Sequence, residues 1–188
     1  SLEDERDGKK KNFQYQGGIA SFVEHLNRNK QVVHTPPVYF EATRDGVVVE
    51  IAMQWNDGYN ENVFSFANNI NTHDGGTHLS GFKGALTRSL NSFAQASNLL
   101  KDVGEIQGDD TREGLCAVVS VKVPNPQFEG QTKGKLGNSE VKGIVESLVN
   151  ERFSAFLEER PQDAKRIAQK VIDAARGREA ARKARDLT

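Results

Sequence analysis

The hydrophobic positions of this chain switch between two periods, and each switch marks the boundary of a predicted element. Ile19, Phe22, Val23 and Leu26 recur at helical spacing, which predicts a short helix from about Gly18 to Asn29. Period-two alternation follows. In VYFEATR the apolar set Val38, Phe40 and Ala42 alternates with Tyr39, Glu41 and Thr43, and Asp45-Gly46 then supplies a tight hairpin turn. In VVVEIAMQW, Val47, Val49, Ile51, Met53 and Trp55 share one face, and in ENVFSFAN, Phe64 and Phe66 point the same way. These three strands read as an antiparallel meander.

The period then lengthens. Leu79, Phe82, Leu86, Leu90, Phe93 and Ala94 form one stripe of a helix from about Thr77 to Ser97. A polar loop separates it from the clearest strand, LCAVVSVKV, with Leu115, Ala117, Val119, Val121 and Val123 on one face. A helix from about Ser139 to Glu159 turns Val141, Ile144, Val145, Leu148, Phe153 and Phe156 inward, and Pro161 fits the first turn of a last helix. That helix carries Ala164, Ile167, Ala168, Val171, Ile172 and Ala175, after which its apolar stripe fades to alanine. The order strand, strand, strand, helix, strand, helix, helix predicts an α+β fold: a two-layer sandwich, a four-stranded sheet with helices on one face, plus a long C-terminal helix.

At 188 residues the chain can bury a proper core, and 36% hydrophobic against 27% charged residues exclude a disordered composition. No apolar run approaches the roughly 20 residues needed to cross a bilayer, and the opening SLEDERDGKKKN is charged where a signal peptide is apolar, so the expectation is a cytoplasmic protein without a membrane partner. The net charge of −1 hides an asymmetry. Residues Pro161 to Thr188 hold eight basic and four acidic side chains, a local +4, so the remainder carries −5. Such a tail reads first as a solvated helix face, with nucleic acid or an acidic partner as the alternative.

Candidate chemistry is sparse. Cys116, the single cysteine, sits in an apolar run and reads as a small buried side chain. His73 and His78 in THDGGTH suggest a metal pair with Asp74, but no further ligands stand at zinc spacing; Asp74 and Thr77 read instead as N-cap candidates and Gly75-Gly76 as a sharp turn. Asp109, Asp110 and Glu113 surround Arg112, a pattern that fits a salt-bridged turn better than a magnesium site. No nucleophile pattern is present: no G-x-S-x-G, no H-E-x-x-H. GQTKGKLGNS fails as a P-loop, because three residues separate Gly130 from Gly134 and Leu136 follows Lys135. On its own residues this glycine-flanked loop is a surface turn, with phosphate contact the alternative.

Three longer stretches carry a resemblance. AMQWNDGYNENVFSFANNINTHDGGTHLSGFKGALTRSLN, GDDTREGLCAVVSVKVPNPQFEGQTKGKLGNSEV and IDAARGREAARKAR resemble the transducer, the second domain of the ATPase region, in the bacterial DNA gyrase B family of type IIA topoisomerases. The most specific pieces are D-G-G-T-H at 74–78, R-E-G-L at 112–115 and Q-T-K at 131–133. The resemblance implies a fold like ribosomal protein S5 domain 2, with a left-handed β-α-β crossover. It implies that residues 1–17 end a preceding GHKL, or Bergerat-type, ATP-binding domain, that 18–188 form the transducer, and that 161–188 form a basic helix leading toward the DNA-cleavage region.

By the same resemblance, Gln131 and Lys133 contact the γ-phosphate of ATP held by the neighbouring domain. The transducer then couples ATP binding and hydrolysis to gate movement, strand passage and negative supercoiling. Implied partners are that GHKL domain, a second copy of gyrase B, the companion gyrase A and double-stranded DNA, with Lys83 and, more weakly, Arg88 lining the DNA cavity. ATP and Mg2+ belong to the intact gyrase B protein, part of an ATP-hydrolysing topoisomerase. No catalytic or metal-binding residue is assigned to this chain, which alone is expected to bind neither and to turn over no ATP. Glu146 and Asn150 have the spacing of an ATP-site pair but lack the D-x-G-x-G that should follow, and read as coincidence. Alternatives are the equivalent topoisomerase IV transducer, a free-standing S5-like RNA-binding module, which needs exposed aromatics among basic residues, and a small-molecule kinase, whose glycine-serine-rich loop is missing.

Overall fold

The computed structural model describes residues 18–187; the expected end of a preceding domain at 1–17 lies outside the described residues. The chain runs α1 (Gly18–Leu26), β1 (Val38–Arg44), β2 (Val47–Trp55), β3 (Asn62–Ala67), β4 (Ile70–Asn71), α2 (Thr77–Ala96), α3 (Gly108–Arg112), β5 (Leu115–Lys122), β6 (Phe128–Glu129), β7 (Lys135–Leu136), α4 (Ser139–Glu159) and α5 (Pro161–Asp186).

The β1–β2 hairpin forms as its turn residues dictate, with Asp45 and Gly46 at φ 53° and 80°. The expected three-strand meander does not. The sheet order is β1-β2-β5-β3-β4, so β5 lies between β2 and β3. It pairs antiparallel with β2, Met53 opposite Ala117, and parallel with β3, Ser65 opposite Val119. The physical reason is in the composition of β5. Seven of its eight residues are buried, on both faces, and a strand without a polar face belongs at the centre of a sheet covered on both sides. The sheet also gains a fifth strand: Asn68 and Asn69, at φ 49° and 68°, turn the chain back into β4, whose two residues are too few for a periodic signature.

α2, α4 and α5 cover one face and build the main core with Val49, Ile51, Met53, Trp55, Leu115, Ala117, Val119 and Val121. α2 and α4 meet at Gly81, where a Cβ would stand 2.5 Å from the Lys142 carbonyl oxygen, so glycine sets how closely these two helices approach. The other face receives α1, which buries Ile19 and Val23 against Ala52, Phe66, Cys116 and Val118. Phe22 packs edge-on to Phe64 at 5.8 Å. The strand phenylalanines are therefore packing residues.

Candidate phosphate-contacting loop

Gly130 to Gly134 form the tip of a miniature hairpin, β6 pairing antiparallel with β7 so that Phe128 faces Leu136 and Glu129 faces Lys135. At the tip Gln131, Thr132 and Lys133 are exposed. The two lysines stand in different surroundings. Lys135 Nζ lies 3.7 Å from Glu129 Oε1 across the hairpin, whereas Lys133 has no ion-pair partner among the described residues. Lys133 also takes a left-handed backbone, φ 56°, unusual for a side chain of its size.

The base of the hairpin is tied down. The Asn138 Oδ1 accepts the Gln127 N–H at 2.6 Å, its Nδ2 donates to the Asn125 carbonyl at 3.1 Å, and the Gly137 N–H reaches the Gln127 carbonyl at 2.7 Å. On its other side the hairpin is fastened to D-G-G-T-H. The Asp74 N–H donates to the Gly134 carbonyl at 2.8 Å, the Leu136 N–H to the Gly75 carbonyl at 3.1 Å, and Gly76 and Leu136 form a parallel bridge. Gly134 is buried, and a Cβ there would meet the Asp74 carboxylate at 2.7 Å, while Gly130, at φ 79°, has open space around its Cα. Freedom therefore lies on one flank only.

The N-cap of α2 is neither Asp74 nor Thr77. It is Gly76, at φ 140° and ψ −169°, with no side-chain cap, because the backbone of Leu136 occupies the space a side chain would need. His73 is exposed and His78 wholly buried, so the two histidines face different environments rather than one metal. His78 Nε2 lies 3.0 Å from Thr72 Oγ1, and burial lowers its pKa from 6.5 to about 4.

Lys83 and Arg88 are not brought together. Lys83 Nζ stands 3.9 Å from Glu61, which also takes Arg112 at 3.0 Å; Arg88 turns to the other flank of α2, 3.9 Å from Glu146 on α4. Asn150 accepts from the Ser89 hydroxyl, so Glu146 and Asn150 both serve the contact of α4 with α2. Asp109, Asp110 and Glu113 are each matched by a base: Arg112 at 2.8 Å, Arg178 at 3.0 Å and Lys170 at 3.5 Å. Two of these bases come from the last helix, a long-range link that charge counting along the sequence does not reveal.

The family model described as DNA gyrase B matches residues 18–187, every element above. The chain belongs to the DNA gyrase B family. The DNA gyrase B protein of Myxococcus xanthus is 60% identical over 186 residues, covering 98% of this chain and 23% of that protein. That of Clostridium acetobutylicum is 58% identical over 189 residues, covering 100% of this chain and 30% of the relative. The solved 43K ATPase domain of Thermus thermophilus gyrase B, in complex with an aminocoumarin, superposes with a TM-score of 0.83 at 46% identity, over 92% of this chain and 47% of that one. The chain thus spans less than half the length of each of these relatives. A topoisomerase IV ATP-binding domain from Francisella tularensis, in complex with a small-molecule inhibitor, shares the fold with a TM-score of 0.75 at 25% identity.

Within the gyrase B family frame, the element that sequence reasoning missed is the backbone seat beneath Q-T-K. The glycine doublet at 75–76, read alone as a turn, was its one visible sign.

Proposed function

We propose that this chain is the transducer of a gyrase B protein: it reports the nucleotide state of an adjacent GHKL domain to the rest of a type IIA topoisomerase that negatively supercoils DNA. The observation that supports this most is Lys133, an exposed ammonium at a hairpin tip, unpaired among the described residues while its neighbour Lys135 is paired to Glu129. ATP bound with Mg2+ on the neighbouring domain supplies the γ-phosphate. Lys133 approaches that charge as a mobile point cation and Gln131 as an amide donor. Away from bulk water such a contact distinguishes triphosphate from diphosphate by several kcal/mol, on the order of what one preorganised donor contributes in an active site.

Movement of the loop is carried into the body by the backbone bonds at 74–76, and through α5 toward the DNA-cleavage region, in partnership with a second copy of gyrase B and with gyrase A. Lys83 and Arg88 are our candidates for phosphate contacts of a captured duplex, since each sits at 3.9 Å from its carboxylate and gives up little by leaving it.

The test is ATP turnover by the intact gyrase B protein. Lys133→Ala lowers it by about 100-fold or more, the loss typical of one charge-stabilising donor, and Lys135→Ala by less than about 3-fold. Equal effects overturn the assignment. The 188-residue chain alone is expected to hydrolyse no ATP, and turnover by the pure chain sinks the proposal as a whole.

A further inference from the structure

The contact between Gly76 and Leu136 joins two parts of the molecule that sequence keeps 60 residues apart. Leu136 is fully buried and belongs to the main core, so β7 cannot slide outward without emptying that site. Its backbone pairs with that of Gly76 in a parallel bridge. A Cβ there would stand 2.5 Å from the Leu136 oxygen, 2.6 Å from its nitrogen and 2.9 Å from its Cα. Those are main-chain atoms of a core residue, so a side chain at 76 displaces the strand or the helix start.

Gly76 also begins α2: its carbonyl accepts the Ser80 N–H at 3.0 Å, the first helical bond. One residue therefore touches the root of the hairpin with one side of its peptide and starts the core's 20-residue helix with the other. Asp74 and Gly75 extend the join by one hydrogen bond each, to Gly134 and Leu136. Gly134 is the residue next to Lys133.

We propose that Asp74, Gly75 and Gly76 form a positioning seat for the 131–133 loop, and that Gly76 is the residue through which displacement of Lys133 reaches α2. The inference rests on the γ-phosphate reading of Lys133 given above. The seat fixes where the ammonium can stand, so it governs recognition of the third phosphate while making no contact with nucleotide.

Affinities of the intact gyrase B protein for a non-hydrolysable ATP analogue and for ADP test this in a double-mutant cycle of Gly76→Ala and Lys133→Ala. Gly76→Ala is expected to weaken the triphosphate analogue by about 10-fold and to leave ADP within about 2-fold, and the double variant to bind no more weakly than Lys133→Ala, as for two residues acting as a unit. A merely structural lesion lowers both affinities together. If Lys133→Ala spares the analogue, the phosphate reading itself falls. If Lys133→Ala weakens the analogue while Gly76→Ala does not, or if the two effects add, the seat is overturned and the sensor stands. Should Gly76→Ala fail to fold, Gly134→Ala enters the same cycle, because its Cβ meets first the Asp74 carboxylate and not the core strand. In the 188-residue chain the Asp74 and Leu136 amides must also show hydrogen-exchange protection; free exchange overturns the seat.

Discussion

Arg178 holds Asp110 with two nitrogens of its guanidinium: Nε stands 3.1 Å from Oδ1 and Nη2 3.0 Å from Oδ2. Asp110 is only 4% exposed and also accepts the Gln107 N–H at 2.9 Å, closing the capping box of α3. Arg178 comes three residues after Ala175, where the buried apolar stripe of α5 ends, so this pair secures the last helix where hydrophobic packing no longer does.

Arg178→Ala strands a nearly buried carboxylate, and we expect it to lower the unfolding free energy by about 2–4 kcal/mol. Asp110→Asn in the same chain removes the stranded charge. The double variant should therefore be more stable than the sum of the single losses by at least about 1 kcal/mol in urea denaturation, and strict additivity would show that the pair contributes nothing to anchoring α5.

His78 makes stability depend on pH. Burial holds its folded pKa near 4, against 6.5 for the free side chain, so between these values the unfolded chain takes up a proton that the folded chain refuses. Its contribution is complete above about pH 6.5 and is lost as pH falls toward 4, amounting to about 3 kcal/mol. His34, also lowered by burial, acts in the same sense. Glu140, lowered by its hydrogen bond from Asn138, and Glu179, lowered by its bond from Arg182, lose their contributions only below the ordinary carboxylate value of 4.5. His78→Gln should flatten the urea midpoint between pH 6.5 and 4.5, and curves that stay parallel to wild type there refute the burial account.

Two glycines should respond to alanine with opposite signs. Gly114, at φ 76°, would drive a Cβ to 2.5 Å from the Asn56 carbonyl oxygen and 2.8 Å from that of Gly58, so Gly114→Ala should cost about 2–3 kcal/mol. Gly143 is exposed inside α4 with open space around it, so Gly143→Ala should stabilise by about 0.5–1 kcal/mol. Calorimetric melting temperatures that move the same way in both variants contradict this.

Cys116 offers a readout of α1. It is buried beneath that helix, its Sγ donates to Asn27 Oδ1 at 3.2 Å, and burial pushes the thiol up from its ordinary pKa. Labelling by a thiol reagent at pH 8 should run about 100-fold or more below that of a free cysteine, because α1 must detach first. Immediate labelling would place α1 off the sheet.

Which face meets the main core could be read from periodicity: Val47 to Trp55, Leu115 to Val123 and the stripe of α4 all point into it as their spacing requires, whereas burial of the second face of β5 under α1 could not. Which strand lies beside which could be read only for the β1–β2 hairpin, from its Asp45-Gly46 turn. A period of two states that Phe64 and Phe66 share a side, but β5 outcompetes β2 as the neighbour of β3 through contacts made more than fifty residues apart. α3, β4, β6 and β7 span two to five residues each and are shorter than any window in which a period can be recognised. For the loop, Lys133 and Lys135 are alike as letters. Only Glu129, brought across the hairpin, separates the paired cation from the unpaired one. The seat at 74–76 is made of backbone bonds, to which side-chain patterns are blind.

The central place of β5 has a consequence for how the molecule is made. β2 and β3 leave the ribosome early, each with an inner edge that nothing yet covers, and the strand that satisfies both begins only at Leu115. At ordinary translation speeds the roughly sixty residues between Trp55 and Leu115 take about 3–12 s to appear. For that interval the nascent chain carries two open strand edges, the feature that most readily templates pairing with a neighbour. The growing polypeptide is thus most vulnerable to aggregation before Lys122 emerges, and a destabilising change in β5 would reduce the yield of folded protein well before it reached the function of what does fold.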